Sequence, residues 1–258
     1  MSGKERSYSF SLYSSFSSDS SFTKKSSFSS NSFINDIFQA IKYNNIFSLN
    51  SLFVRSGNNV KLFNKTTEFY ITPLIYAITL NHIDCVKTLI NIGVDINKPD
   101  ELKNTPLHIA SLDGNYKIVE LLLQNNSDIH KLNCFNECPL LSACSINNTD
   151  CVRLLLDNGA YPHRRDNKGR SAIHIASEYE NIELLDLLLD RGVSINTQTI
   201  DGKTPLYISC MESKLEIIEY LIQKGADINK PDKFKRTPLI ACYDSKVKQI
   251  LRKYGAKI

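Results

Sequence analysis

Asn104-Thr105-Pro106-Leu107-His108-Ile109-Ala110 is the stretch over which the rest of the chain can be laid. Its Thr105-Pro106-Leu107 occurs 33 residues earlier as Thr72-Pro73-Leu74. At unbroken 33-residue steps it returns as Cys138-Pro139-Leu140, Ser171-Ala172-Ile173, Thr204-Pro205-Leu206 and Thr237-Pro238-Leu239. A fixed period of this length means a stack of small units. No single unit can bury its own apolar surface, so neighbours must supply the core.

Within one unit the residues specify two short helices. Thr105 can cap a helix, and Pro106 sits at the first helical position, where a missing N–H costs nothing. Leu107, Ile109 and Ala110 give that helix an apolar face, and Gly114-Asn115 ends it. Ile118, Val119, Leu122 and Leu123 then predict a second helix over Tyr116 to Gln124. The repeats close it with Gly93, Asn126, Gly159, Gly192 or Gly225, residues that tolerate the left-handed conformation. An Asp-Ile-Asn segment such as Asp95-Ile96-Asn97 follows, then a turn such as Ile200-Asp201-Gly202-Lys203.

The period and the Thr-Pro-Leu-His-x-Ala motif resemble the ankyrin-repeat family from about Asn35 to Ile258. The resemblance implies an all-α ankyrin-repeat solenoid of helix–turn–helix units with β-hairpin fingers. In that scaffold the fingers project sideways and, with the first helices, line a concave binding face.

The expected organisation is a disordered Ser/Phe-rich tail over residues 1–32 and a repeat domain over 33–258. The domain divides into a cap repeat 33–67, repeats 68–100, 101–133, 134–166, 167–199 and 200–232, and a C-terminal cap 233–258. The tail is about half serine, and Phe10, Phe16, Phe22 and Phe28 follow a six-residue beat. With almost no aliphatic residues it cannot form a core. It can offer phosphorylation sites or aromatic anchors. In the first cap, Ala40, Asn44, Leu49, Leu52 and Phe53 align with Ala77, Asn81, Val86, Leu89 and Ile90 at a spacing of 37. The four extra residues fall between Asn58 and Tyr70 and read as a tolerated insertion or a longer first finger. In the last cap the second helix, with Val247, Ile250 and Leu251, arrives three residues early and carries Lys246, Lys248, Arg252 and Lys253.

The chain has 258 residues and a net charge of +4, too mild to argue for nucleic acid. No apolar run approaches a membrane span and no signal-peptide core is present, so the expectation is a monomer in the cytoplasm, with the nucleus as the alternative. Seven cysteines without framework spacing agree with a reducing compartment.

Cys134, Cys138, Cys144 and Cys151, with His130 nearby, do not have the paired spacing of a zinc site. Cys85 and Cys151 share a slot with Ile118, Leu184 and Ile217, and Cys144 and Cys210 share one with Ser111 and Ser177, as small core residues do. Cys134, on a finger, is the thiol best placed to react. His108 and His174 occupy a slot that elsewhere holds Ile75, Leu141, Tyr207 and Ile240. In the ankyrin pattern this histidine packs and hydrogen-bonds between repeats. No phosphate loop, nucleophile triad or paired carboxylate is visible. The expectation is therefore no catalysis, no metal and no cofactor.

The finger positions three residues before the Thr-Pro-Leu slot are Phe69, Leu102, Phe135, Lys168, Asp201 and Phe234. Four are large and apolar where the resemblance predicts exposure, and exposed apolar patches mark interaction sites. First-helix positions facing the same concavity fall at Leu80, Leu112, Ile146, Tyr179 and Met211. Early fingers carry Glu68, Glu101 and Glu137, whereas later ones carry Lys168, Arg170, Lys203, Lys233, Lys235 and Arg236 beside Arg164 and Arg165. The reading is a protein-binding adaptor or inhibitor whose unidentified partner lays an acidic segment along the C-terminal repeats. A scaffold or assembly-chaperone subunit is the alternative, and nucleic acid is weaker still, because aromatics are not interleaved with the basic residues.

Overall fold

The computed structural model describes residues 30–67 and 70–257. The segment 1–29, on which most of the tail reading falls, lies outside the described residues, as do Glu68 and Phe69. Among the described residues there are fifteen helices and no strand.

The helices form stacked antiparallel pairs. The first cap is α1 (Ser30–Lys42) and α2 (Ile46–Arg55), followed by a single-turn α3 (Val60–Phe63). Five full repeats follow: α4 (Pro73–Thr79) with α5 (Ile83–Ile92), and α6 (Pro106–Asp113) with α7 (Tyr116–Gln124). Then come α8 (Pro139–Ser145) with α9 (Thr149–Asp157), α10 (Ala172–Ala176) with α11 (Ile182–Asp190), and α12 (Pro205–Met211) with α13 (Leu215–Gln223). The last cap is α14 (Pro238–Ala241) and α15 (Ser245–Lys253). Ser30–Ser32, assigned to the tail by sequence, are helical. α6 packs on both α4 and α8, and each first helix likewise bridges its neighbours, so one core runs the length of the stack.

Capping chemistry sets the helix starts. Thr72, Thr105 and Thr204 each accept a hydrogen bond from the backbone three residues on, at Ile75, His108 and Tyr207, and proline occupies the next position. Cys138, in the same slot, makes no such bond. Asn115, Asn148 and Asn181 cap the second helices and also reach back one repeat, to Asn81, to the Gly114 carbonyl (3.1 Å) and to Asn147 (2.9 Å).

The irregular linker is a structural insertion. α3 turns the fully buried Phe63 edge-on to Phe53, with ring centres 5.5 Å apart, and so fills the flank of the first cap. The extra residues therefore add core, not a longer finger.

The two ends close in the same way. The slot filled by the buried Cys85, Ile118, Cys151, Leu184 and Ile217 holds Ser48 in the first cap. At the other end, Lys248 takes the slot of the buried Val86, Val119, Val152, Leu185 and Ile218. Arg252 replaces Ile90, Leu123, Leu156, Leu189 and Ile222. In these slots polar residues thus stand at the two ends of the described stack, where no described repeat packs on them.

Candidate protein-binding face

Each finger is a tight turn fixed from inside by one side chain. Its first residue is Asp100, Asn133, Asp166, Thr199 or Asp232, spaced at 33 residues. Asp166 Oδ1 accepts from the backbone N–H of Lys168 (2.9 Å) and Arg170 (2.8 Å), and Asp232 Oδ1 from those of Phe234 and Arg236 (both 2.9 Å). Asn133 does the same for Phe135 and Glu137. The ends of each finger are joined by one backbone bond, such as Asp166 N–H to the Arg170 carbonyl (2.9 Å). Too few bonds form for a strand ladder, so the fingers are hairpin turns without β-strands. Their fourth residue is left-handed throughout: Lys103, Asn136, Gly169, Gly202 and Lys235 have φ of 61°, 60°, 72°, 79° and 61°.

The fingers are also linked to one another. The carbonyls of Leu102, Phe135, Lys168 and Asp201 accept a bond from the N–H of Cys134, Asn167, Ile200 and Lys233 on the next finger, at 2.9–3.1 Å. Leu102, Phe135 and Lys168, singled out as binding candidates, therefore help fix the row through their backbone carbonyls.

These side chains are not equivalent. Phe135 and Phe234 are 45% and 62% exposed, and Ile200, one residue from the expected position, is 67% exposed. Leu102 is half-buried, a departure from the expected exposure. Lys168 is exposed and Lys203 half-buried, its ammonium 6.0 Å from the Tyr207 ring centre. Phe69 lies outside the described residues.

The basic fingers are largely neutralised from within. Arg170 pairs with the buried Asp166 (2.6 Å) and with Glu178 (3.5 Å). Arg236 pairs with Asp232 at 2.7 Å while its guanidinium stacks 5.1 Å from Phe234, and Lys233 pairs with Asp201 of the previous finger. Arg165 bonds the Gln198 carbonyl (2.6 Å) and Thr197 Oγ1 (2.7 Å). Burial alone would raise the Asp232 carboxyl, but bonds from Arg236, Tyr207 and Phe234 outweigh it and hold it at about 2. Lys233 holds Asp201 low in the same way. Sequence counting could not show this, because the partner acids stand among the basic residues as turn-forming residues.

The concave helix positions form two rows, not one. Leu80, Asp113, Ile146, Tyr179 and Glu212 share a slot at 33-residue steps, and Leu112 and Met211 belong to the slot just before it. Leu80, Leu112, Ile146 and Tyr179 are half-buried, Met211 is exposed, and the Tyr179 hydroxyl donates to the Ser145 carbonyl. Leu112 lies 32 residues after Leu80, so the 33-residue step that marks the row falls on Asp113 instead.

The buried histidines tie the first helices to loop carbonyls that follow them in the chain. His108 Nδ1 accepts from the Thr105 N–H (3.1 Å), which places its proton on Nε2, donating to the Glu137 carbonyl of the next finger (2.9 Å). His174 Nδ1 accepts likewise from the Ser171 N–H (3.1 Å), but its Nε2 bonds the Thr197 carbonyl (3.1 Å) at the end of its own repeat. Burial pushes both imidazoles down to about 4. In the same slot Tyr207 donates its hydroxyl to Asp232 Oδ2 (2.8 Å). Cys134 is exposed, but burial of its sulfur and the nearby Asp100 raise its thiol, which disfavours the reactive thiolate. Among the described residues no three His, Cys, Asp or Glu side chains gather as a metal site, and no helix is long and apolar enough to cross a membrane.

Comparison with known proteins agrees with this architecture. The family described as Ankyrin repeats matches in three copies, over residues 37–133, 125–199 and 191–258. The chain belongs to the ankyrin-repeat family. Among solved structures it is similar to the ankyrin repeat domain of Bcl-3, a member of the IkappaB protein family. That likeness has a TM-score of 0.72 and 24% identity, over 84% of this chain and 97% of that one. It is also similar to the human ASB11 ankyrin repeat domain, with a TM-score of 0.73 and 22% identity over 86% and 98%. No curated protein sequence gives a significant match.

Proposed function

We propose that this chain is a non-enzymatic protein–protein interaction module, an adaptor or inhibitor, which binds a partner protein across its finger tips and concave helix face. The observation that carries the reading is the presentation of Phe135, Ile200 and Phe234 on turns already fixed by internal and finger-to-finger hydrogen bonds. Preformed turns meet a partner with little ordering cost, and a few apolar anchors can supply most of the affinity. Membership of a family of interaction modules points the same way. With Arg170, Lys233 and Arg236 paired internally, the charges left to favour an acidic portion of the partner are those of Lys203 and Lys235.

The test is affinity capture with the intact protein and a variant carrying Phe69→Asp, Phe135→Asp and Phe234→Asp, after circular dichroism shows equal helicity. Partners lost only from the variant support the finger row. Retention of every partner refutes it.

A further inference from the structure

Asp113 and Glu212 are the two acidic residues of the concave row, and only Asp113 has an aliphatic neighbour in the row on both sides. Its slot neighbours one repeat to either side are Leu80 and Ile146, and the Ile146 Cδ1 methyl lies so close to Gly114 that a Cβ there would meet it at 2.9 Å. Asp113 is open to solvent on the concave side, yet it has no hydrogen bond or ion pair among the described residues. Its register neighbours are Thr79, Leu80 and Asn81 on the α4 side and Ser145, Ile146 and Asn147 on the α8 side, none of them titratable. Although the residue is exposed, the surrounding repeats desolvate its carboxyl and raise it to about 7, and no neighbouring charge contributes. On the later fingers, Asp166, Asp201 and Asp232 each have a cationic partner. Asp113 faces the groove without one, in the half of the array whose fingers carry Glu101 and Glu137.

We infer that Asp113, flanked by Leu80 and Ile146, receives a lysine or arginine of an extended segment of a partner protein, with an apolar side chain of that segment on either side. The spacing supports this. Packed helices lie about 8–10 Å apart, which sets the step from Leu80 to Asp113 to Ile146. A polyproline-type segment rises about 3.1 Å per residue with three residues per turn, so residues three apart lie on one face about 9 Å apart. An apolar–x–x–basic–x–x–apolar sequence therefore matches the row slot for slot. The inference rests on the concave-face reading and adds the chemistry of what occupies it.

The probes are synthetic heptapeptides with leucine at both ends, serine between, and lysine, alanine or glutamate at the centre. Binding to the full chain is measured by nuclear magnetic resonance titration. The lysine peptide is expected to bind, the glutamate peptide not to bind. Because only ionised Asp113 attracts the cation, affinity should rise about tenfold from pH 6 to pH 8. Asp113→Asn should weaken binding to the alanine-peptide level and abolish the pH dependence, with helicity unchanged. Equal binding of the lysine and glutamate peptides, or no effect of Asp113→Asn, overturns the inference while leaving the finger-row capture result to stand separately. The chain's own Phe22, Lys25 and Phe28 have the same spacing. Binding that appears only after Lys24→Ala and Lys25→Ala would show that the chain occupies the site itself and would overturn an external partner. Absence of binding in both forms overturns the inference outright.

Discussion

Acidification should weaken the stack through His108 and His174 before any carboxylate at the finger bases protonates. Both imidazoles are buried and held neutral, with folded values of about 4 against the ordinary 6.5. Because the folded state disfavours the proton, their contribution is complete above the unfolded value. It is lost as pH falls from 6.5 towards 4. Between pH 7 and pH 5 this amounts to about 2 kcal/mol for each histidine, about 4 kcal/mol together, at 1.36 kcal/mol per unit. Charges around them are mixed: Asp128 favours the proton on His108, Asp166 favours it on His174 and Arg165 opposes it there. Asp113 works in the opposite direction. Its raised carboxyl contributes most below the ordinary carboxylate range and loses that contribution as pH rises through about 7. Comparison with a His108→Leu, His174→Leu variant removes this confounding effect, since both proteins keep Asp113, and leucine already occupies the slot at Leu141. The assay is urea unfolding followed by circular dichroism at pH 7, 6 and 5. The stability gap between the parent and the variant should shrink by several kcal/mol across that range. A gap independent of pH would refute the assignment of buried, neutral histidines.

Other expectations follow from single contacts. Gly202→Ala should cost more than about 2 kcal/mol, because a left-handed residue would gain a Cβ 2.6 Å from the Lys233 nitrogen, whereas Gly93→Ala, with open space around it, should cost about 1 kcal/mol; thermal melts distinguish them. Cys138→Thr should stabilise the fold by about 0.5–1 kcal/mol by restoring the cap seen at Thr72, Thr105 and Thr204, and an unchanged urea midpoint would count against the capping argument. Alkylation of the native protein should give a single adduct, slowly, at Cys134, since the other six cysteines are buried; intact mass spectrometry counts the adducts, and a second one would mean a core opening.

The scaffold was legible because periodic chemistry is local. Thr-Pro-Leu at each 33-residue step gave the helix starts, and the slot argument for Cys85, Cys151 and His108 agrees with their complete burial. The site was less legible, for reasons that can be named. The turn-forming Asp100, Asn133, Asp166 and Asp232 share the same period, yet their role depends on bonds to backbone groups that composition does not distinguish from solvated surface. Lys103, Asn136 and Lys235 adopt a conformation in which glycine is the expected signal, and glycine stands there only at Gly169 and Gly202. Arg170 and Arg236 read as free charge because their partners lie four residues back, inside the turn they close. The helix that buries Phe63 leaves no signal in the sequence, since one helical turn has no period to detect.

The cations at Lys248 and Arg252 have a consequence for how copies of this protein meet. A repeat that stacks on its predecessor is by construction able to stack on any similar surface, and end-on contact between copies would be head-to-tail and open-ended, the geometry of a filament. Every internal repeat offers an aliphatic pair to its successor; the last described repeat carries two positive charges in those slots, and the first described repeat carries Ser48 on its other side. Restoring aliphatics with Lys248→Ile and Arg252→Ile should make sedimentation depend on concentration, because the change removes the feature that ends the polymerisable surface.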